Sequence, residues 1–320
     1  MPLAATGELV TRAAAAHSAV AAFNIITLEH VEAVIAGAEA ADAPVVLQVS
    51  ENAVRFRHGR LHPLARAAVV AAERARVPVA LHLDHVQSDD LLRQAPGAGF
   101  SSVMYDAARL PYAENLAATR AAVAWAHAQG LWIEAELGQI GGKAGRGGRE
   151  RDARGGRERD ARGGREKAAR PPLDAHAPGA RTDPEEARAF VADSGVDALA
   201  VAIGSVHAMT TRTAALDHAL LQRLAGAVPV PLVLHGSSGV PDEGLGAAVA
   251  GGIAKVNVGT ALSVAMTGAI REFLAARPEA VDAREYLGAA REAMAREVTR
   301  IIGVLSPPTR ASGISPVSRP

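Results

Sequence analysis

The sequence predicts a single-domain (β/α)8 barrel of the TIM type, and three observations carry that prediction. Eight short, β-rich apolar runs recur at 20–25, 44–50, 78–84, 101–106, 131–137, 198–204, 231–236 and 254–259. Most are continuous rather than alternating, as parallel strands covered on both faces require. Alanine-rich stretches with helical spacing separate them, among them 28–41, 64–76, 112–129 and 184–194. Polar residues also close every run at the same end, where barrel enzymes keep their chemistry. An open, doubly wound sheet is the alternative, because periodicity alone does not close a barrel.

Taken in order, the first run ends at Asn24, the second at Ser50, the third at Asp84-His85 and the fourth at Asp106. The fifth carries Glu134 and Glu136, and the sixth runs into Ser205-Val206-His207. The seventh closes on His235-Gly236-Ser237-Ser238-Gly239, the eighth on Asn257-Val258-Gly259-Thr260. The stretch 184–194 has the plainest helix start. Asp183 precedes Pro184, which suits a first turn, and Glu185 and Glu186 suit the positive end of the helix dipole.

At 320 residues and 49% hydrophobic, the chain can bury one large core. It has no cysteine, which excludes disulfides and thiolate metal sites. A formal net charge of zero provides no bulk field for nucleic acid, so any phosphate recognition must be local. No apolar run reaches the ~18 residues of a membrane span, and the start lacks a secretory pattern. A cytoplasmic protein without membrane or nucleic-acid partners is expected.

The barrel is expected over 1–305 and a disordered tail over 306–320. Within the barrel, 146–153, 154–161 and 162–169 are tandem copies of RGGRERDA, the last decayed to RGGREKAA. Such glycine-rich, charge-balanced sequence supplies no core, so 143–173 is expected to be a disordered loop after strand five. RNA binding is the rival reading of an RGG-like run. The absence of interleaved aromatics and the near balance of acids and arginines favour a permissive surface loop.

His85, His207 and His235 reach one rim from three strands, the donor pattern of a zinc-type site with an open position. His82 is expected to be structural, and the other histidines, His30 included, mostly solvated. Strand alternation points Asp84 away from His85, where it is either a general acid/base or a partner orienting histidine. Asp106 and Glu136 offer a second or alternative metal position. Glu134 is expected deeper, buried with a polar partner. The turns at 236–239 and 259–260 can offer backbone N–H groups to phosphate. Three lysines occur, and Lys255 alone lies in a predicted strand, so a Schiff-base enzyme is one alternative. A metal hydrolase is another, and a binding protein that has lost catalysis a third.

The stretches AFNI, VVLQVS, LHLDH, SSVMYD, EAELGQIGG, AVAIGSVH, PLVLHGSSGVP, KVNVGT and AREYLGAAREAM resemble, in that order, the class II (zinc-dependent) fructose- and tagatose-bisphosphate aldolases. The similarity runs from about Leu3 to about Gly303, interrupted by the repeat. The resemblance implies that His85, His207 and His235 bind zinc. It makes Asp106 and Glu136 the alternative metal position and Asp84 the acid/base at the ketose C4 hydroxyl. Gly236, Ser237, Ser238, Asn257, Gly259 and Thr260 would hold dihydroxyacetone phosphate, Asn24 and Ser50 would line the pocket, and Arg284 would meet the distal phosphate. It also implies a homodimer or homotetramer and an auxiliary monovalent cation. This chain departs from the family at Ala208, where relatives carry glycine, and at Ala283, where proline is expected. The family's loop acid is also missing, and Asp174 is the nearest substitute.

Overall fold

The computed structural model describes residues 3–138 and 180–306. The expected loop at 143–173, Asp174 and all of the tail beyond Ser306 lie outside the described residues. Among the described residues eight strands form: β1 Val20–Asn24, β2 Val45–Ser50, β3 Val79–Val86, β4 Ser102–Tyr105, β5 Trp132–Leu137, β6 Ala198–Val201, β7 Leu232–Leu234 and β8 Ile253–Val258. They pair in sequence order, all parallel, and β1 pairs β8 to close the barrel. Closure removes the open-sheet alternative.

The stretch read as helix 64–76 is His62–Glu73, with Pro63 in its first turn. Pro184–Ser194 starts as expected, with the Asp183 carboxylate accepting from the Glu185 and Glu186 amides. Helix Leu28–Ala40 packs on the long helix Ala283–Leu305. Gly37 makes that approach possible, since a Cβ there would lie 2.6 Å from both the Ala295 carbonyl and Val298. His30 is not solvated as expected. It is 3% exposed, with Nδ1 3.0 Å from the Thr27 hydroxyl, because it falls on the inward stripe of helix Leu28–Ala40.

Two layers of core follow. One lies between barrel and helices; the other plugs the barrel floor, where Leu9 and Val10 of helix Thr6–Ala15 meet Val20, Ala22, Val46, Ala80 and Ala254. Inward positions change character up the barrel. On β3 they read Ala80, His82, Asp84, and on β5 Trp132, Glu134, Glu136. The floor is apolar and the mouth polar, so the site sits at the C-terminal rim.

Candidate active site

His85 adopts a left-handed backbone, φ 52°, and the β3–β4 register shifts between Leu83 and Val86. This bulge corrects the alternation expected from sequence. Two consecutive residues, Asp84 and His85, both line the cleft, with Asp84 Oδ2 3.9 Å from His85 Nε2.

The three rim histidines converge. Ring centroids lie 5.5 Å apart for His85–His207, 4.8 Å for His85–His235 and 6.0 Å for His207–His235. With Glu136 they form a group whose donor atoms all lie within 4.8 Å of one another. Three imidazoles and a carboxylate suit a zinc-type divalent ion, so the residues fit such a metal. Asp106 is not in that group; its Oδ2 stands 2.9 Å from His85 Nδ1, a position that fixes the ring.

His235, fully buried, lies between two carboxylates. Nδ1 is 2.9 Å from Glu136 and Nε2 2.8 Å from Glu134. Burial opposes charge on this ring, yet hydrogen bonds to Glu134 and Glu136 push its pKa up to about 9. Glu134 is buried, as expected, and Lys255 donates to it across 2.8 Å. Burial works against ionisation of Glu134 too, but Lys255 and His235 hold its carboxyl well below the usual range. Asp84, 1% exposed, is likewise lowered despite burial, chiefly by His85 and His235, and so stays a carboxylate able to take a proton. His82 is pushed down to about 3, mainly by burial, and its Nδ1 lies 2.7 Å from the Ser102 hydroxyl. It is the structural residue expected.

Above this centre opens a cleft of about 880 Å³. Asn24, Ser50, Gly236, Ser237, Ser238, Asn257, Gly259 and Thr260 all line it. Gly236 takes φ 67°, and a Cβ would sit 2.9–3.0 Å from the Val206 backbone, so the turn needs glycine. Several hydroxyls here are already committed. Ser237 donates to the Asn257 carbonyl, Ser238 accepts from the Ala261 amide, and Ser50 caps helix Glu51–Phe56 through the Ala53 amide. Asn24 accepts from Gln48, a buried residue not singled out in the sequence.

Arg284 does not line the cleft. Its side chain is 90% exposed at the start of helix Ala283–Leu305 and is paired with Asp282. Arg55 and Arg109 line it instead. Both follow strand ends, the one sequence signal that could have found them. Ala208 also lines it, with φ 61°.

Fold and site together define a barrel enzyme with a metal-competent centre beside an ionised carboxylate. The chain belongs to the class II fructose-bisphosphate aldolase family: the family model described as "Fructose-bisphosphate aldolase class-II" matches residues 4–307. It is thus an aldolase, a carbon–carbon lyase of a metal-dependent family. It is 36% identical over 300 residues to a probable fructose-bisphosphate aldolase of Bacillus subtilis, covering 93% of this chain and 95% of that one. The fructose-bisphosphate aldolase of Geobacillus stearothermophilus is 36% identical over 295 residues, covering 92% and 93%. Among solved structures, a putative fructose-1,6-bisphosphate aldolase from Coccidioides immitis superposes with TM-score 0.77 at 30% identity, covering 94% of this chain and 96% of that one. The YdjI aldolase from Escherichia coli K12 gives 0.74 at 29%, covering 95% and 97%.

Proposed function

We propose that this chain is a zinc-dependent aldolase that reversibly cleaves a ketose 1,6-bisphosphate, fructose or tagatose, to dihydroxyacetone phosphate and glyceraldehyde 3-phosphate. The observation that carries the reading is the meeting of four metal-competent donors within 4.8 Å beside Asp84, at the mouth of a cleft walled by two glycine turns. His85, His207 and His235 would hold the ion, with Glu136 and Asp106 as a second or alternative position. Zinc there would supply Lewis acidity that stabilises the enediolate left after bond cleavage.

Asp84 takes the proton of the C4 hydroxyl as the C3–C4 bond breaks, and returns it in the synthetic direction. In cleavage the enediolate takes up a proton from water at the carbon that was C3 to give dihydroxyacetone phosphate. The turns at Gly236–Ser238 and Gly259–Thr260 hold the phosphate of dihydroxyacetone phosphate. Arg55 and Arg109, which line the cleft, meet the distal phosphate, while Arg284 of the same chain stands outside that lining. We further assign a cytoplasmic homodimer or homotetramer, and a monovalent cation as auxiliary.

The Schiff-base alternative requires a neutral amine facing substrate. Lys255 instead is fully buried and donates to Glu134 and Asn257. The test is turnover of fructose and tagatose 1,6-bisphosphates by zinc-loaded protein. Cleavage of either supports the proposal and ranks the two. Cleavage of neither, with zinc bound, would reject it in favour of the metal- and phosphosugar-binding alternative or of another ketose phosphate.

A further inference from the structure

Lys255 and Asn257 are two residues apart on β8 and both point into the barrel. Lys255 Nζ lies 2.8 Å from Glu134 Oε2 and 2.7 Å from Asn257 Oδ1. Lysine and glutamate have no exposed surface, whereas Asn257 is 8% exposed and lines the cleft. An ammonium group only donates. The carboxamide oxygen of Asn257 is therefore the atom turned down toward Lys255, and its NH2 must face up, where Asp84 Oδ1 accepts across 3.4 Å. That bond is long, which leaves the amide as a donor for an oxygen of a bound ligand beside Asp84.

We propose that Lys255 is a positioning residue for the aldol reaction. Its buried ammonium, balanced by Glu134, locks the Asn257 carboxamide in the one orientation that presents a donor to Asp84 and substrate. Without the ammonium the amide is free to flip, setting its oxygen against the Asp84 carboxylate and withdrawing the donor. This inference rests on the proposed aldolase reaction for its catalytic consequence, but not for the geometry.

The experiment compares native protein with Lys255→Met/Glu134→Gln, which removes both buried charges together, with Glu134→Gln alone, which isolates the loss of support for His235, and with Asn257→Leu. The first readout needs no turnover. In protein labelled with isotopic asparagine, the carboxamide signals lost in Asn257→Leu are those of Asn257. In the double variant they should exchange with solvent about tenfold faster or split into two environments, because a hydrogen bond has been removed.

The second readout is kcat for fructose 1,6-bisphosphate in zinc-loaded protein. Measured against Glu134→Gln, the double variant should lose about the factor that Asn257→Leu loses against native protein, with KM less affected. Combining all three substitutions should cost no more than about threefold beyond the double variant, since residues acting through one another are not additive. Unchanged carboxamide signals in the double variant, or losses that multiply, would overturn the proposal. Native protein that cleaves neither fructose nor tagatose 1,6-bisphosphate while the carboxamide responds as expected would reject the proposed ketose-bisphosphate cleavage and leave the positioning role standing.

Discussion

His235 Nε2 lies 2.8 Å from Glu134 while its Nδ1 lies 2.9 Å from Glu136, so one buried ring joins the metal-competent group to the charge pair beneath it. Glu134 orients the ring from below and also neutralises Lys255. Glu134→Gln leaves that ammonium buried without a counter-charge, which costs about 3–5 kcal/mol by analogy with broken buried pairs. It also loosens the ring, so zinc affinity should fall about 10–100-fold, as when an outer partner of a metal ligand is lost. Urea unfolding and competition with a chelator check the two effects separately.

Asp84 is 1% exposed, ionised and beside the metal-competent group without belonging to it. Asp84→Asn should therefore lower kcat by about 10²–10⁴-fold, the span of a general acid/base. Zinc stoichiometry, measured on the same preparation, should not change. Loss of zinc with loss of activity would make Asp84 a ligand instead.

Strand positions and rim residues were legible because buried parallel strands write continuous apolar runs and a barrel gathers their ends. His85 shows the limit of that rule. Period-two alternation turned Asp84 away from it, and only the left-handed backbone at His85 brings both into the cleft. Gln48 was hidden inside an apolar run, and its task, holding Asn24, exists only once β1 and β2 pair. For Arg284 the sequence offers only likeness of motif. Its position depends on how helix Ala283–Leu305 lies, which no local pattern encodes. His30 read as a solvated helix residue because one polar side chain on an apolar stripe carries no sign of the Thr27 hydroxyl waiting for it.

Ala208 holds φ 61° beside His207. A left-handed residue other than glycine costs about 1–2 kcal/mol, and glycine returns about 0.5–1 kcal/mol of that as backbone entropy. Ala208→Gly should thus be neutral or slightly stabilising and keep kcat/KM at or above the native value. Ala208→Val, with a β-branched side chain in the same region, should cut kcat/KM by at least about tenfold. Thermal melts and steady-state kinetics on both variants decide it.

Asp242 joins Arg212 and Arg300 at the start of helix Asp242–Ala250, and Arg300 lies 2.6 Å from both of its oxygens. The bond from Arg212 first, then those from Arg300, hold its carboxyl below the ordinary 3.8 despite some burial. A depressed folded-state pKa contributes stability that is present above the unfolded value and lost as pH falls through the folded one. Asp242→Asn should melt below native protein at neutral pH, with the gap closing below about pH 4. Because the cluster is partly exposed, salt should narrow the gap as well. A gap that persists unchanged into acid would assign the loss to packing.

On this mechanism turnover depends on an ion held by His85 of β3 and by His207 and His235, which follow β6 and β7. The most direct test is cleavage of fructose 1,6-bisphosphate by one preparation as isolated, after EDTA treatment, and after zinc is returned. EDTA should abolish turnover and zinc restore it, with no product trapped on Lys255 by borohydride. Turnover that survives EDTA and is trapped by borohydride would contradict it.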